Sequence, residues 1–169
     1  IFFLFLLNLN AHVDHYEKIN YLEYELLRNN QTIGYHKYRF LRNNDNLNVE
    51  SEVSFNISKL GIQLYSYYAK STEKYKKGKF FEFSSTTNQN KKEKYVNITV
   101  DPKEKDLVVD GSSFKGKTSN EFIIGTWWNH EIVKKKAQIS AVSGRIIEQK
   151  VEFLGKEKIT FGDKTYKTL

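Results

Sequence analysis

The chain has no cysteine, no methionine and one proline in 169 residues, and only four of its 27 cations are arginine. Each shortage excludes something. Without cysteine there is no disulfide framework, thiolate zinc site, iron–sulfur cluster or cysteine nucleophile. Without methionine, Ile1 is read as lying downstream of the translated start. The net charge of +7 admits an anionic partner. Arginine, however, is the side chain whose planar fork suits phosphates and base edges. With lysine and asparagine abundant instead, the basicity follows A/T-rich codon usage, and no nucleic-acid partner is expected.

Long apolar runs are scarce too. The run Ile1 to Leu7 (IFFLFLL) is followed by Asn8, Leu9, Asn10 and Ala11. It is too short to cross a bilayer and reads as the end of a secretory signal peptide closing at the small residue Ala11. Residues 1–11 are therefore expected to be a signal-peptide remnant, 12–18 a linker, and 19–169 a single β domain. An exported, cysteine-free chain points to a periplasmic or secreted bacterial protein with no transmembrane span.

From Ile19 onward the sequence shows a period of two. In residues 48–58, Val49, Ser51, Val53, Phe55 and Ile57 share one face, while Asn48, Glu50, Glu52, Ser54, Asn56 and Ser58 take the other. That is the signature of a half-buried strand. Similar alternation predicts strands over 21–28, 33–42, 62–75, 79–87, 94–100, 107–109, 113–118 and 145–154, with 159–166 opening one more. Asn29–Asn30, Leu60–Gly61, Lys77–Gly78, Asp110–Gly111 and Ser143–Gly144 supply turn chemistry between them. No stretch carries a helical apolar stripe, and residues 133–138 support at most a turn. The expected fold is an all-β antiparallel meander that hides its edges as a barrel or strongly curved half-barrel, lipocalin-like in plan. Residues 121–129 form its one long crossover loop.

Catalytic motifs are also scarce. His12 and His15 fall in the linker, and His36 alternates with Gly34 and Tyr38 on the second strand as a satisfied structural group. His130 and Glu131 are sequence neighbours and are expected to point apart. No zincin, nucleophile-elbow, P-loop or dinucleotide-binding motif occurs. Glu50, Glu52, Glu73, Glu148 and Glu152 are assigned to solvent faces. No catalytic residue, metal site or cofactor is expected.

Aromatic residues are plentiful: 12 Phe, 11 Tyr and two Trp. Tyr65, Tyr67 and Tyr75 share one face of the 62–75 strand, and Phe80, Phe81 and Phe83 follow. Core packing accounts for such rings, and so does a concave cavity that takes a small molecule. Thr126–Trp127–Trp128–Asn129 puts both tryptophans in the crossover, as a plug or as a gate. The candidate ligand-binding residues are Tyr65, Tyr67, Phe81, Trp127, Trp128 and Asn129.

The order of short motifs resembles one family. It begins with Tyr24–Glu25–Leu26, Arg28, Gln31, Ile33–Gly34, His36 and Phe40. It continues through Leu64–Tyr65–Ser66–Tyr67, Val108–Val109–Asp110–Gly111, Thr126–Trp127–Trp128–Asn129 and Ser143–Gly144–Arg145, and ends in Phe153–Leu154–Gly155–Lys156–Glu157. This series is similar to that of exported bacterial proteins grouped as domain-of-unknown-function family 6134, across nearly all of residues 21–169. The chain departs from the family pattern in having Trp127 where tyrosine is usual and Ala141–Val142 where Asp-Thr is usual. The resemblance implies further strands beyond Leu169 and export, but no activity and no catalytic residues. The expected function is that of an exported, non-enzymatic module binding a lipid or another apolar or amphipathic small molecule, or an envelope protein. The alternatives are an envelope hydrolase acting on glycan or lipid, and a purely structural or protein-interaction module.

Overall fold

The computed structural model describes residues 18–168, so the signal-peptide and most of the linker assignments lie outside the described residues. Eight strands run in sequence order through one antiparallel sheet: β1 (Tyr21–Arg28), β2 (Gln31–Asn43), β3 (Asn46–Lys59), β4 (Ile62–Lys76), β5 (Lys79–Gln89), β6 (Lys92–Val100), β7 (Leu107–Gly111) and β8 (Lys115–Thr118). The tight connections use left-handed residue pairs: Asn29–Asn30, Leu60–Gly61, Lys77–Gly78 and Asn90–Lys91 all have positive φ. Such turns match the right-handed twist of the strands they join. The all-β meander is as the alternation predicts. β1 and β8 form the two edges, and no ladder joins them among the described residues.

The rest of the chain lies in smaller pieces. β9 (Ile123–Ile124) pairs in parallel with β10 (Ala137–Ile139), which pairs antiparallel with β11 (Ile146–Glu148). A 3-10 turn, His130–Lys134, stands between β9 and β10. The crossover segment thus contains a short strand of its own. The predicted strand over 145–154 shrinks to three residues because Val151, Phe153 and Leu154 face solvent with no ladder to hold them. At the end of the chain, β12 (Glu157–Phe161) and β13 (Lys164–Thr168) form a hairpin. Residues 159–166 therefore hold a turn rather than the start of one strand.

One face of the sheet is buried. Phe83, Val96, Ile98, Leu107 and Val109 from β5–β7 pack with Ile124 and Ile139 in one core. Tyr38, Phe40, Leu47, Val49 and Tyr75 pack with Trp128 in a second, and Phe80 touches both. Asp110–Gly111 is no turn: Gly111 ends β7, where an added Cβ would lie 2.7 Å from the Ser143 carbonyl oxygen. The bare glycine lets the Ser143–Gly144 corner rest directly on the sheet. The opposite face carries cross-strand charge pairs, among them Lys37–Glu23 and Lys70–Glu52. Such exposed pairs contribute little stability each, roughly 0–1 kcal/mol.

Candidate functional site

Glu73 faces inward from β4, on the same side as Tyr65, Tyr67 and Tyr75, and is fully buried rather than solvent-facing. Three donors meet its carboxylate: the Tyr75 hydroxyl, the Thr126 hydroxyl at 3.0 Å and the Trp128 indole N–H at 2.8 Å. Burial pushes this carboxyl above its ordinary range, and the three donors hold back part of the rise. The Tyr38 hydroxyl donates to the Thr126 carbonyl at 2.5 Å, and Ser85 donates to the Ala141 carbonyl. β2 and β4 thus fasten the segment after β9, and β5 the corner after β10, from one side.

That fastening separates the two tryptophans. Trp128 is 3% exposed and meets Phe40 and Tyr75 edge-on, with ring centroids 5.6 and 5.9 Å away. Trp127 is 70% exposed with φ of +67°. A bulky side chain in the left-handed region is strained by Cβ–carbonyl contact. The surrounding hydrogen bonds hold the backbone there.

Beneath Trp127 lies a cavity of about 130 Å³. Its floor is the inner face of the sheet, with Val53 and Ala69 beside the hydroxyls of Ser51, Tyr67, Ser85 and Thr87, and Gly125, Ala141 and Val142 form part of its wall. His36 also lines it. Its Nε2 lies 2.9 Å from the Ser51 hydroxyl, and its ring lies 4.2 Å from that of Tyr38. Burial pushes His36 down to about 4, so it is uncharged at neutral pH. Lys70 borders the cavity through its place on β4, but its ammonium pairs with Glu52 on the other face. The interior is neutral, part apolar and part hydroxylic. Among the described residues no group of three His, Asp or Glu is placed to hold a metal.

Of the sequence candidates, Tyr67 and Trp127 meet at this cavity. Tyr65 lies further along β4, where its ring and that of Tyr67 both stack on Phe55 and its hydroxyl accepts from Gln89. Phe81 sits at a bulge: pairing passes from Lys74 opposite Glu82 to Tyr75 opposite Phe80, leaving Phe81 exposed and apart from the cavity. Trp128 belongs to the core. Asn129 caps the 3-10 turn, accepting from the Glu131 N–H. Sequence reasoning missed Glu73, although its parity with Tyr75 was a signal. The alternation put Ser51 on the inner face with Val49 and Val53, but sequence reasoning gave no role to the Ser51, Ser85 and Thr87 hydroxyls.

A family model described as a domain of unknown function (DUF6134) matches residues 24–168. The chain belongs to this family. The DUF6134 match includes the cavity, Glu73 and both tryptophans. No curated protein and no solved structure matches the chain.

Proposed function

We propose that this DUF6134 member is an exported, non-enzymatic module that binds the uncharged part of a small apolar or amphipathic molecule between its sheet and Trp127. The observation that carries this reading is Trp127: a bulky residue strained at φ +67°, with its indole left mostly in solvent above a neutral cavity. Strain of this kind costs on the order of 1–3 kcal/mol and gathers at ligand clamps. An indole in solvent gains by closing over an apolar group.

The chemistry of the cavity fits that use. With His36 uncharged and Lys70 turned away, a charged headgroup finds no counter-ion inside, whereas an apolar group with one or two hydrogen-bonding atoms finds both walls and hydroxyls. The volume of about 130 Å³ is below the roughly 300–1,000 Å³ of a whole small-ligand pocket. Part of the molecule therefore enters, and the remainder lies along Tyr67, Phe55 and Tyr65 toward the open end of the face. The curved half-barrel reading belongs here as well: β2 and β4 reaching Thr126 and β5 reaching Ala141, all from one face, supports a sheet bent around the segments that cover it. So does the periplasmic or secreted setting, in which such a carrier would meet its ligand.

The test is titration of the full chain with the neutral apolar dye N-phenyl-1-naphthylamine, alongside native mass spectrometry for co-purified molecules. Parent protein is expected to bind the dye, and Trp127→Gly, which relieves the positive φ, to bind it at least about fivefold more weakly. Equal dye binding by parent and variant, or none by either, would contradict the proposal.

A further inference from the structure

Strands β3 and β4 are longer than their neighbours at one end. Pairing of β3 with β2 stops at Phe55 opposite Gly34, and pairing of β4 with β5 stops at Tyr67 opposite Gln89. Residues 56–66 pair only with each other, from Asn56 opposite Ser66 to Lys59 opposite Ile62. Asn90 clasps the base, its N–H donating to the Ser66 carbonyl and its side-chain oxygen accepting from the Ser66 N–H. The result is a two-stranded finger whose own ladder runs about 15 Å past its last pairing with β2 and β5, at roughly 3.3 Å per residue, while β2 continues three residues past Gly34 to Gln31 beside β1.

The finger ends in exposed apolar side chains. Leu60 is 92% exposed, Ile62 66% and Leu64 57%. Leu60 occupies a left-handed turn position, with φ of +52°. The equivalent positions in the other paired left-handed turns hold Asn29, Lys77 and Asn90, which are polar and at ease in water. A leucine at that position is poor turn chemistry and poor solvation together. Its presence asks for an apolar destination outside the fold.

Charge narrows the destination. No acidic residue lies between Glu52 and Glu73, and Lys59 sits at the tip. Antiparallel order places the β1–β2 and β5–β6 turns at the same end of the sheet, where the exposed cations Arg28, Lys91 and Lys92, with Lys59, outnumber the exposed acids Glu25 and Glu93. A second copy meeting tip to tip would set these cations against their own images. An anionic bilayer surface satisfies both features, taking the leucines among its acyl chains and the cations among its headgroups.

We propose that the β3–β4 finger docks the protein onto a bilayer bearing anionic lipid, with Leu60, Ile62 and Leu64 entering the interface. This goes beyond the ligand reading and does not depend on it. The open end of the inner face, with Phe55 and Tyr65, continues into the finger, so a docked protein presents that end to the lipid.

The experiment is sedimentation of the full chain with vesicles of phosphatidylcholine alone, or of phosphatidylcholine with phosphatidylglycerol. The variants are Leu60→Asn, which suits the positive φ, and the triple Leu60→Asn/Ile62→Thr/Leu64→Thr, which keeps strand-forming residues. Parent protein is expected to bind the anionic vesicles preferentially. Leu60→Asn should bind about tenfold more weakly and the triple weaker still, with melting temperatures no lower than the parent. Trp127→Gly should bind vesicles as the parent does, which separates failure here from failure of the ligand reading. Absence of parent binding to anionic vesicles would overturn the proposal, as would binding that the triple variant retains. A parent dimer that the triple variant dissociates without lipid would also overturn it, assigning the tip to a second copy.

Discussion

The two ends of one sheet face behave differently. Toward the β2–β3 and β4–β5 turns, Phe40, Leu47, Val49, Tyr75 and Phe80 lie under Trp128, with Glu73 bonded to the loop above. Toward the opposite turns, Phe55, Ile57, Tyr65 and Tyr67 are only half-buried, and the β3–β4 finger is exposed. Aromatic and aliphatic side chains line both ends. What differs is cover: among the described residues, the segment 122–146 lies over the first end and not over the second. An apolar face without cover is where a partner gains most by binding, so stability and recognition occupy different lengths of the same strands.

The largest expected effect is at the join. Glu73→Leu leaves the Tyr75 and Thr126 hydroxyls and the Trp128 indole N–H buried without an acceptor, and should lower unfolding free energy by about 3–5 kcal/mol in urea. Glu73→Gln keeps an oxygen for Thr126 and Trp128, and should lose about 1 kcal/mol. Equal losses for the two would show that the carboxylate is not the fastening.

The next contrast is along the face. Ile139→Ala, in the covered core, should cost about 2–5 kcal/mol, as large-to-small core changes do. Ile57→Ala, at the uncovered end, should cost less than about 1 kcal/mol. Comparable costs would mean that both ends are packed alike.

A smaller effect is expected from pH. The folded pKa of His36 is about 4, below its unfolded value of 6.5, so the unfolded chain binds more protons between them. The stability associated with neutral His36 is complete above pH 6.5 and lost as pH falls from there toward 4. Glu73 runs the other way: its raised folded pKa stabilises the fold at low pH, a contribution lost as pH rises through it. His36→Gln should flatten the slope between pH 6.5 and 4 in thermal melts. An unchanged slope would remove His36 as its source.

These contrasts were unequally legible in sequence. Alternation located the strands of the large sheet because the period of two persists over long segments, and the left-handed turns were marked by Asn and Gly. The cover was not legible. β9, β10 and β11 are two or three residues long, too short to show a period, and β9 pairs in parallel with a strand beyond the 3-10 turn. Of the site, the adjacent tryptophans drew attention by composition. Their opposite fates depend on one positive φ at a non-glycine residue, which no local pattern announces. Glu73 was given to solvent by its charge, though its place in the alternation argued for the interior.

The central claim, that cover divides this face into a stabilising end and a binding end, is tested most directly by the two neighbouring tryptophans. Trp128→Phe and Trp127→Gly should be compared for urea stability and for N-phenyl-1-naphthylamine affinity under folded conditions. The division predicts that Trp128→Phe, which removes the N–H bound to Glu73 and part of the core, loses about 2–4 kcal/mol while keeping its dye affinity. It predicts that Trp127→Gly keeps or gains stability while its dye affinity falls at least about fivefold. Both substitutions lowering stability and affinity together would contradict it.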